Sequence, residues 1–344
     1  MSLPPIDIPL GAMRFNSDSH KLEYWNGSAW MQIQTFSPTL EGGVRGLFGG
    51  GEQGANNEVT TTDFITISTA GNGIDFGDLT AHRRHLGACA DRTRGLFMGG
   101  HTAPGGHGDT VDFFTISSTG DATDFGNLTA GASRPIGFNN STRGVRAGGN
   151  PFTDTMDFGT IQSTGDFIDF GNLVSSRRGV MAAASPSRGI MAGGQDPSSG
   201  NQGVNTIEFV ITATTGNTSD FGDLVKTRRG GAGCSNSVRA VFGTGYIAPA
   251  PSNTASSEID FITIATLGNA VSFGDLTYDR LETFGAVASH TRGVFGTGSD
   301  GADNFLNTLD YIEIMTTGDG VDFGDLQSER GGAGGCSNGN GGLG

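Results

Sequence analysis

Several short patterns in the sequence could carry metal or phosphate chemistry. Asp75-Phe76-Gly77 matches the triplet with which protein kinases hold magnesium, and residues 49–54 fit a glycine pattern that cradles phosphates. The triplet recurs at five equivalent positions without a kinase catalytic loop, and the glycine pattern lacks the strand, turn and helix that such a site needs. Both patterns therefore indicate repeated structural elements, and we predict neither catalytic residues nor enzymatic activity.

The histidines, cysteines and aspartates do not form a recognisable metal site. The six histidines lack the helical and cysteine spacings of zinc sites, and we expect His101 and His107 to be solvated in their shared loop. One aspartate per repeat offers too few oxygens for calcium. The three cysteines fall at similar points of separate repeats, so we predict free thiols. We expect no metal and no cofactor.

A pattern of aromatic residues and glycines organises most of the chain. An aromatic residue, a glycine seven positions later and a phenylalanine twelve positions later recur six times. Successive copies of that phenylalanine lie 45 to 52 residues apart, which matches the four-stranded units of β-propellers. We therefore predict an all-β fold, with a six-bladed β-propeller over residues 41–344. The aromatic pairs are Phe64 and Phe76, Phe113 and Phe125, Phe158 and Phe170, Phe209 and Phe221, Phe261 and Phe273, and Tyr311 and Phe323.

Each repeat is predicted to form four strands, A to D. In one repeat, strand A covers residues 85–90 and is rich in small side chains, as expected where six inner strands converge. Alternating residues indicate strands C and D, whose rings are predicted to fill the space between neighbouring sheets. The glycine after each second phenylalanine, as at Gly126, indicates a bulge or a close approach of two backbones.

The two ends of the repeat region are predicted to meet in one sheet. The first repeat begins with strand B at Val44, whereas an unpaired strand A sequence follows the last repeat at residues 331–337. Pairing of residues 333–337 with residues 46–50 would complete the first sheet and remove two exposed edges. We therefore expect the N- and C-terminal strands to close the propeller within one blade.

The loops between strands B and C differ in length and composition, while the strands keep their spacing. Alternating strand directions place these loops on one face, together with the connections that lead into strand A. A rigid scaffold with variable loops is typical of a recognition surface, and solvated connections without a ligand are the alternative. Candidate contacts on this face are Phe152, Tyr246, Pro249 and Phe305.

Charge and hydropathy limit the partners. The net charge of −15 argues against nucleic acid, whose phosphates require a basic face. There is neither a signal peptide nor an apolar run of membrane-spanning length, so we expect folding in a cytoplasm. Twelve arginines occupy two repeat positions, where we predict structural pairing with recurrent aspartates. A binding ring is the alternative for the arginines, and caps for turn amides are the alternative for the aspartates. The arginines are Arg45, Arg94, Arg143, Arg188, Arg239 and Arg292, then Arg84, Arg134, Arg178, Arg229, Arg280 and Arg330, and the aspartates are Asp78, Asp223, Asp275 and Asp325.

The order of a small strand A, a strand B ending in a glycine doublet, a variable loop and two aromatic strands resembles the kelch repeat. The fifth and sixth repeats carry Gly-Thr-Gly instead of the doublet, and phenylalanine replaces the usual tryptophan of strand D. The resemblance covers about 300 residues and implies a kelch-like propeller, a fold that serves enzymes, adaptors and extracellular proteins alike. The doublets are Gly49-Gly50, Gly99-Gly100, Gly148-Gly149 and Gly193-Gly194.

Residues 1–40 differ from the repeats and contain both tryptophans. The first ten residues, which contain three prolines, are predicted to form an extended arm suited to lying along a partner, and the alternation and turn residues that follow predict a three-stranded β-meander. The segment over residues 11–30 resembles a short module of bacteriophage tail-fibre and other virion proteins, which implies attachment to other virion proteins. The predicted anchors are Phe15, Tyr24, Trp25 and Trp30, and the alternative role of the two tryptophans is a minimal core for a small hairpin.

The resemblance to virion proteins implies a non-enzymatic phage protein, made in the host cytoplasm and located in the virion as a tail fibre, appendage or decoration. Residues 1–40 would dock onto other virion proteins, and the propeller would bind a host-surface glycan or protein, or serve particle assembly. Multiple copies per particle are expected, because they provide avidity. A cellular kelch-like adaptor or glycan-binding module is the alternative, and a propeller enzyme is a third reading that lacks convergent catalytic groups.

Overall fold

The computed structural model describes residues 8–16, 21–32, 44–54, 56–247, 254–302 and 304–343. The chain divides into two compact units, residues 1–41 and residues 42–344. Regular structure in the described residues is β-strand, apart from two short 3-10 helices at Pro197–Ser199 and Gly341–Leu343. None of the helices described is both long and apolar enough to span a membrane.

The first unit is a three-stranded antiparallel sheet. Its strands are β1 (Met13–Asn16), β2 (Lys21–Trp25) and β3 (Trp30–Gln32), in the order β1-β2-β3. The turn between β2 and β3 forms because the Asn26 side-chain oxygen accepts hydrogen bonds from the backbone N–H groups of Ser28 and Ala29, at 2.9 and 2.8 Å. Gly27 in this turn has φ +98°, a conformation that favours glycine.

The described part of residues 42–344 contains six antiparallel sheets, each built on four strands, A to D. In strand order A to D, sheet 1 comprises β31 (Gly334–Ser337), β4 (Arg45–Gly49), β5 (Thr61–Thr66) and β6 (Ile74–Asp78). Sheet 2 comprises β7 (Gly87–Ala90), β8 (Arg94–Met98), β11 (Thr110–Thr115) and β12 (Thr123–Asn127). Sheet 3 comprises β13 (Ile136–Asn139), β14 (Arg143–Ala147), β15 (Thr153–Thr160) and β16 (Ile168–Arg177).

The remaining sheets follow the same order. Sheet 4 comprises β17 (Met181–Ala184), β18 (Arg188–Ala192), β20 (Gln202–Ile211) and β21 (Ser219–Arg229), with β19 (Gln195–Asp196) and β24 (Tyr246–Ile247) added at β20 and β21. Sheet 5 comprises β22 (Ala232–Ser235), β23 (Arg239–Gly243), β25 (Ser256–Thr263) and β26 (Val271–Arg280). Sheet 6 comprises β27 (Gly285–Ala288), β28 (Arg292–Gly296), β29 (Thr308–Glu313) and β30 (Val321–Asp325), and a separate ribbon pairs β9 (His101–Thr102) with β10 (Gly106–His107).

The A strands connect the sheets in a cycle. Strand β31 contacts β7, and the contacts continue through β13, β17, β22 and β27 back to β31. The side chains of these strands must be small because the strand backbones lie close together. A Cβ on Gly137 would lie 2.4 Å from the Ala88 carbonyl oxygen, and a Cβ on Gly233 would lie 2.4 Å from the Ala182 carbonyl oxygen. The arrangement is that of an all-β protein with a propeller-like repeat.

The two chain ends of the repeat region meet in sheet 1. Strand β31 pairs with β4, with Gly334 opposite Gly49 and Ser337 opposite Gly46. The prediction that terminal strands close one sheet is therefore confirmed, although the paired segment begins at Gly334 rather than at residue 333. This pairing covers the edge that β4 would otherwise expose.

Aromatic rings fill the outer part of each sheet, as the repeat predicted. In every repeat the strand C ring meets the strand D ring edge-on, with centroids 5.7 to 6.2 Å apart. The strand D ring also reaches the next sheet, since Phe76 packs against Phe114 at 5.4 Å. Edge-to-face packing of this kind stabilises by about 0.5–1.5 kcal/mol beyond area burial.

The glycine after each strand D phenylalanine lies both at a bulge and at a close approach of two backbones, the two roles predicted from the sequence. Opposite Gly77 the pairing register shifts between Thr62 and Asp63, which is a bulge. A Cβ on Gly77 would also lie 2.3 Å from the Gly120 carbonyl oxygen in the next sheet. Neighbouring sheets are joined here, because the Gly120 N–H donates to the Phe76 carbonyl oxygen at 2.7 Å.

Buried ion pairs correct both the predicted arginines and their predicted partners, because only Arg280 and Arg330 of the twelve predicted arginines belong to the six buried pairs. The acidic partner is the residue just before each strand C aromatic, rather than an aspartate such as Asp78 that follows strand D. Five pairs join one sheet to the next, and the sixth lies within sheet 3, where Ala132 occupies the place of the arginine and Arg146 replaces it from strand B. The pairs are Arg83–Asp112, Arg146–Asp157, Arg177–Glu208, Arg228–Asp260, Arg280–Asp310 and Arg330–Asp63.

The arginines that begin strand B have a different role from the one predicted. Arg94 stacks its guanidinium 4.4 Å from the centroid of the Phe113 ring and donates to the Ile161 carbonyl oxygen of the next sheet at 3.2 Å. All six equivalent arginines repeat both contacts. The predicted aspartate pairing is therefore wrong at this position, although the structural role holds, since each arginine links two sheets.

The three cysteines lie in strand A of separate sheets. Cys89, Cys234 and Cys336 are free and buried, as predicted. Burial raises the pKa of the Cys234 thiol to about 12, so this group stays protonated at neutral pH.

Candidate binding site

A circle of backbone hydrogen bonds closes one end of the six A strands. In each repeat, the residue two or three positions before strand A has φ between +50° and +68°. Its N–H, or in one repeat the next N–H, donates to the carbonyl oxygen of the equivalent residue in the preceding repeat, at 2.6 to 3.2 Å. We call these residues the backbone circle: His85, Arg134, Gly179, Gly230, Glu282 and Gly332.

Three members of the backbone circle are not glycine, although the conformation favours glycine. Holding such residues in this region costs on the order of 1 kcal/mol each, and strain of this kind concentrates at functional sites. Their side chains meet: His85 Nε2 lies 2.9 Å from Glu282 Oε2, and Arg134 Nη2 lies 2.6 Å from Glu282 Oε1. The predicted strand A began at His85, but β7 begins at Gly87 because His85 belongs to this circle.

Acidic groups cluster on one side of the circle. Arg84 bonds to Glu52 and lies 3.4 Å from Glu58, whose carboxylate is also 3.0 Å from His101. The possible ligand atoms of Glu52, His85 and Glu282 lie within 4.8 Å of one another. Because guanidinium groups already bind both carboxylates, we interpret this side as an ion-pair network rather than a cation cage.

Arginines from three consecutive repeats surround a small pocket on the other side. We call it the arginine pocket, and its floor is formed by two glycines of the backbone circle. Arg178 donates to Gln195 Oε1 and to Asn150 Oδ1, both at 2.7 Å. Burial lowers the pKa of Arg178, and the charges of Arg134 and Arg229 lower it further. The pocket is lined by Arg134, Arg178, Gly179, Gln195, Arg229, Gly230, Tyr246, Glu282 and Phe284.

Two of the predicted loop residues lie beside these arginines. The guanidinium of Arg178 stacks 4.5 Å from the centroid of the Phe152 ring, and that of Arg229 stacks 4.4 Å from the centroid of the Tyr246 ring. Phe305 lies against Gly331, where an added Cβ would be 2.6 Å from the ring. Pro249 lies outside the described residues.

The predicted role of Arg134, Arg178 and Arg229 is structural pairing with aspartates, with a binding ring as the alternative, and the structure brings the three together at one pocket. Two Arg-Arg doublets before strand A contain the missing signal for Arg178 and Arg229: the first arginine of each, Arg177 or Arg228, is buried with an acid of the next sheet, and the second reaches the pocket. A strand places successive side chains on opposite faces, so adjacent arginines cannot share one role. His85 and Glu282 had no sequence signal, because only the backbone circle relates their positions.

The first unit carries an unpartnered apolar face. Cross-strand pairing places Met13, Tyr24 and Met31 in one row, with Phe15 opposite Leu22 beside it. Four of these side chains are exposed, Phe15 by 64% and Met13 by 60%.

The opposite face of the first unit is closed by its own contacts. Trp25 and Trp30 pack at 5.6 Å, Arg14 stacks 4.2 Å from Trp30, and Arg14 pairs with the buried Glu23 at 2.9 Å. The predicted anchors are therefore divided, with Phe15 and Tyr24 on the apolar face and both tryptophans in the internal cluster.

The stability of the second unit should depend on pH through Glu282. Burial alone would raise the pKa of this carboxyl, but the His85 hydrogen bond and the charges of His85 and Arg134 lower it to about 2. A lowered pKa stabilises the folded state above the ordinary value of 4.5, and this contribution is lost as pH falls towards 2. We expect Glu282→Gln to flatten the fall in melting temperature between pH 5 and pH 2.

The matched control for this measurement is Glu313→Gln. Glu313 is an exposed carboxylate of the neighbouring β29, so its replacement should leave the steep fall of the parent protein unchanged. Parallel melting curves for the parent protein and Glu282→Gln would contradict the assignment.

No model of a known protein family matches the chain, and no curated protein matches its sequence. The two surfaces described above are therefore the basis for inferring function.

Proposed function

We propose that this chain is a phage virion protein in which a six-bladed kelch-like β-propeller presents a host-binding face and the N-terminal unit attaches it to other virion proteins. The cyclic contacts of six A strands and the closure by β31 support the propeller. The observation that carries the attachment role is the exposed apolar face of the first unit.

That apolar face is better suited to a partner than to solvent. A small sheet gains stability by covering its hydrophobic face, and the internal cluster of this unit uses only the opposite face. Burying a large apolar side chain contributes about 1.5–3 kcal/mol, so covering Met13, Phe15, Tyr24 and Met31 would supply a firm attachment. Other virion proteins are the partner that this proposal requires, and multiple copies per particle follow from it.

The face with the arginine pocket supports the binding role. Loops and strand connections meet there on a scaffold whose sheets are joined by buried ion pairs, stacked arginines and backbone hydrogen bonds. Such a scaffold presents side chains with little conformational freedom, which favours binding because little entropy is lost. The face therefore fits a role in recognising the host surface.

A second candidate is a cellular kelch-like adaptor or glycan-binding module. The arginine pocket favours it independently, because the pocket needs no particle in order to bind a ligand. The two candidates differ in where the protein resides, in the virion or free in the cell.

The proposal is tested by immunogold labelling of purified virions with antibody against residues 42–344. We expect label on a tail or appendage, and loss of label for a Phe15→Ser, Tyr24→Ser double variant that still accumulates in the lysate. The matched control is Ile74→Ser, Ile168→Ser, which removes two similarly exposed apolar side chains from the second unit and should leave the label in place. Unlabelled parent virions beside abundant free protein would overturn the proposal in favour of the cellular module.

A further inference from the structure

We infer that His101 and His107 form a binding site for a divalent transition metal ion of the zinc and nickel class. Both residues belong to the ribbon that β9 and β10 form between strands B and C of sheet 2, and they lie directly opposite each other. Opposite side chains of an antiparallel pair project on the same side, with Cβ atoms about 4.5–5.5 Å apart. The inference uses neither attachment nor host recognition, so it goes beyond the proposed function.

The two imidazole rings lie at a separation that one metal ion can bridge. Their centroids are 6.4 Å apart, and their planes meet at 76°. Two rings that share a zinc ion through nitrogen bonds of about 2.0–2.1 Å in a tetrahedral arrangement have centroids about 5 Å apart. Rotation of the two side chains towards each other by about 1 Å would therefore complete the pair of ligands.

Hydrogen bonding prepares His101 as a metal ligand. Its Nδ1 lies 3.0 Å from Glu58 Oε1, and an ionised carboxylate only accepts hydrogen bonds, so Nδ1 carries the proton of the neutral ring. Nε2 then carries the lone pair that a metal ion requires. A carboxylate bonded to the second nitrogen of a histidine is typical of metal sites, because it orients the ring and raises its basicity. The side chain of His101 is only 20% exposed, so packing also restricts its orientation.

His107 is prepared in the same way. Its Nδ1 lies 3.0 Å from Ser133 Oγ, and its Nε2 lies 3.4 Å from Asn150 Nδ2. Asn150 presents its N–H groups to this ring because its side-chain oxygen accepts a hydrogen bond from Arg178 at 2.7 Å. His107 Nε2 is therefore the acceptor, and the proton lies on Nδ1. Partial burial and the charges of His101 and Arg178 lower the pKa of His107, so the ring is neutral at pH 7.

The ligand atoms select a transition metal over calcium or magnesium. Neutral imidazole nitrogens bind zinc, nickel and copper, whereas calcium and magnesium prefer oxygen ligands. Two protein ligands leave the other coordination positions to water, so we expect moderate affinity. The pair is distinct from the group of Glu52, His85 and Glu282, whose two carboxylates are bound by guanidinium groups. A shared ion would join β9 to β10 and fix this ribbon on the face that carries the loops.

The test is titration calorimetry on the full chain, prepared without a histidine tag and freed of metal with a chelator. We expect one zinc or nickel ion to bind per chain and magnesium not to bind. His101→Gln and His107→Gln should each weaken zinc binding at least tenfold, while the melting temperature of the metal-free protein stays within a few degrees. Lowering the pH from about 7.5 to about 5.5 should also weaken binding, because protons compete for both imidazoles.

The matched control is His290→Gln, which replaces an exposed histidine beyond the end of β27 and should leave zinc binding unchanged. Nitrogen–proton NMR of the histidine rings provides a second measurement on the parent protein. Both His101 and His107 should carry the proton on Nδ1, and zinc should shift the Nε2 resonance of each ring.

Three results would overturn the inference. They are the absence of zinc binding, equal binding by the parent and both single variants, and a zinc titration that shifts neither ring. Loss of binding in Glu52→Gln, with normal binding in His101→Gln and His107→Gln, would assign the ion to the group of Glu52, His85 and Glu282 instead. Virion labelling does not depend on this ion, so either proposal can fail while the other stands.

Discussion

Replacing Asp310 with alanine is expected to lower the free energy of unfolding by about 3–5 kcal/mol, because it leaves the buried guanidinium of Arg280 without its counter-charge. Arg280 at the end of β26 lies 2.7 Å from Asp310 in β29, and both side chains are almost fully buried. Arg280 also donates to the Thr308 carbonyl oxygen at 2.7 Å, so the variant would lose one part of a network that joins sheets 5 and 6. Urea denaturation followed by circular dichroism measures the loss.

Glu313→Ala provides the matched control within the same strand. Its partner Arg292 lies at a similar distance, 2.8 Å, but Glu313 is 47% exposed and Arg292 is 25% exposed. An exposed pair of this kind contributes about 0.2–1 kcal/mol. The double variant Arg280→Met, Asp310→Leu should recover most of the stability, because replacing a whole buried pair with apolar groups is often neutral. Equal losses for Asp310→Ala and Glu313→Ala would show that burial of the pair is not what matters.

Truncation after Arg330 is expected to abolish the cooperative folding of the second unit. The deletion removes β31 and with it the pairing to β4, the contacts to β7 and β27, and the buried Cys336. It would expose the edge of β4 and open the cycle of A strands, and exposed edges promote aggregation. Size-exclusion chromatography should show aggregates, and thermal melting should lose its single sharp transition.

The control truncation ends after Ser337 and keeps β31. It removes Asn340, whose side-chain N–H donates to the Ala90 carbonyl oxygen at 2.9 Å, so a moderate fall in melting temperature is expected with the monomer preserved. A synthetic peptide of residues 331–344, added during refolding of the shorter chain, should restore monomeric protein. A chain ending at Arg330 that stays monomeric with an unchanged melting temperature would contradict the closure.

The repeated sheets were predictable because packing between equivalent sheets imposes the same residue types at the same spacing. Phe64 and Phe76 recur in register since each ring must fill an equivalent space between sheets. Gly77 recurs because the backbone of the next sheet lies too close for a side chain. The terminal closure was predictable for the same reason. The first repeat lacks a strand A, and an additional strand A sequence follows the last repeat, so the second supplies what the first lacks.

The sequence did not predict which arginine pairs with which buried acid. Arg83 and Arg84 are adjacent in sequence, yet one is buried with Asp112 and the other faces Glu52. Sheet 3 replaces the usual arginine with Ala132 and supplies Arg146 from another strand. The repeat pattern alone cannot predict that an arginine from another strand takes this place. The buried acid requires a guanidinium group nearby, but it does not determine which strand provides it.

The amino-acid sequence by itself determined the all-β repeat, its period, the aromatic and glycine positions and the pairing of the two chain ends. These depend on local alternation and on contacts that every repeat makes in the same way. Only the tertiary structure decided which arginines are buried, that His85, Arg134 and Glu282 meet, and that Phe15 and Tyr24 share a face apart from Trp25 and Trp30. Those contacts join residues that differ between repeats, or they depend on strand register. A periodic sequence pattern therefore cannot predict them.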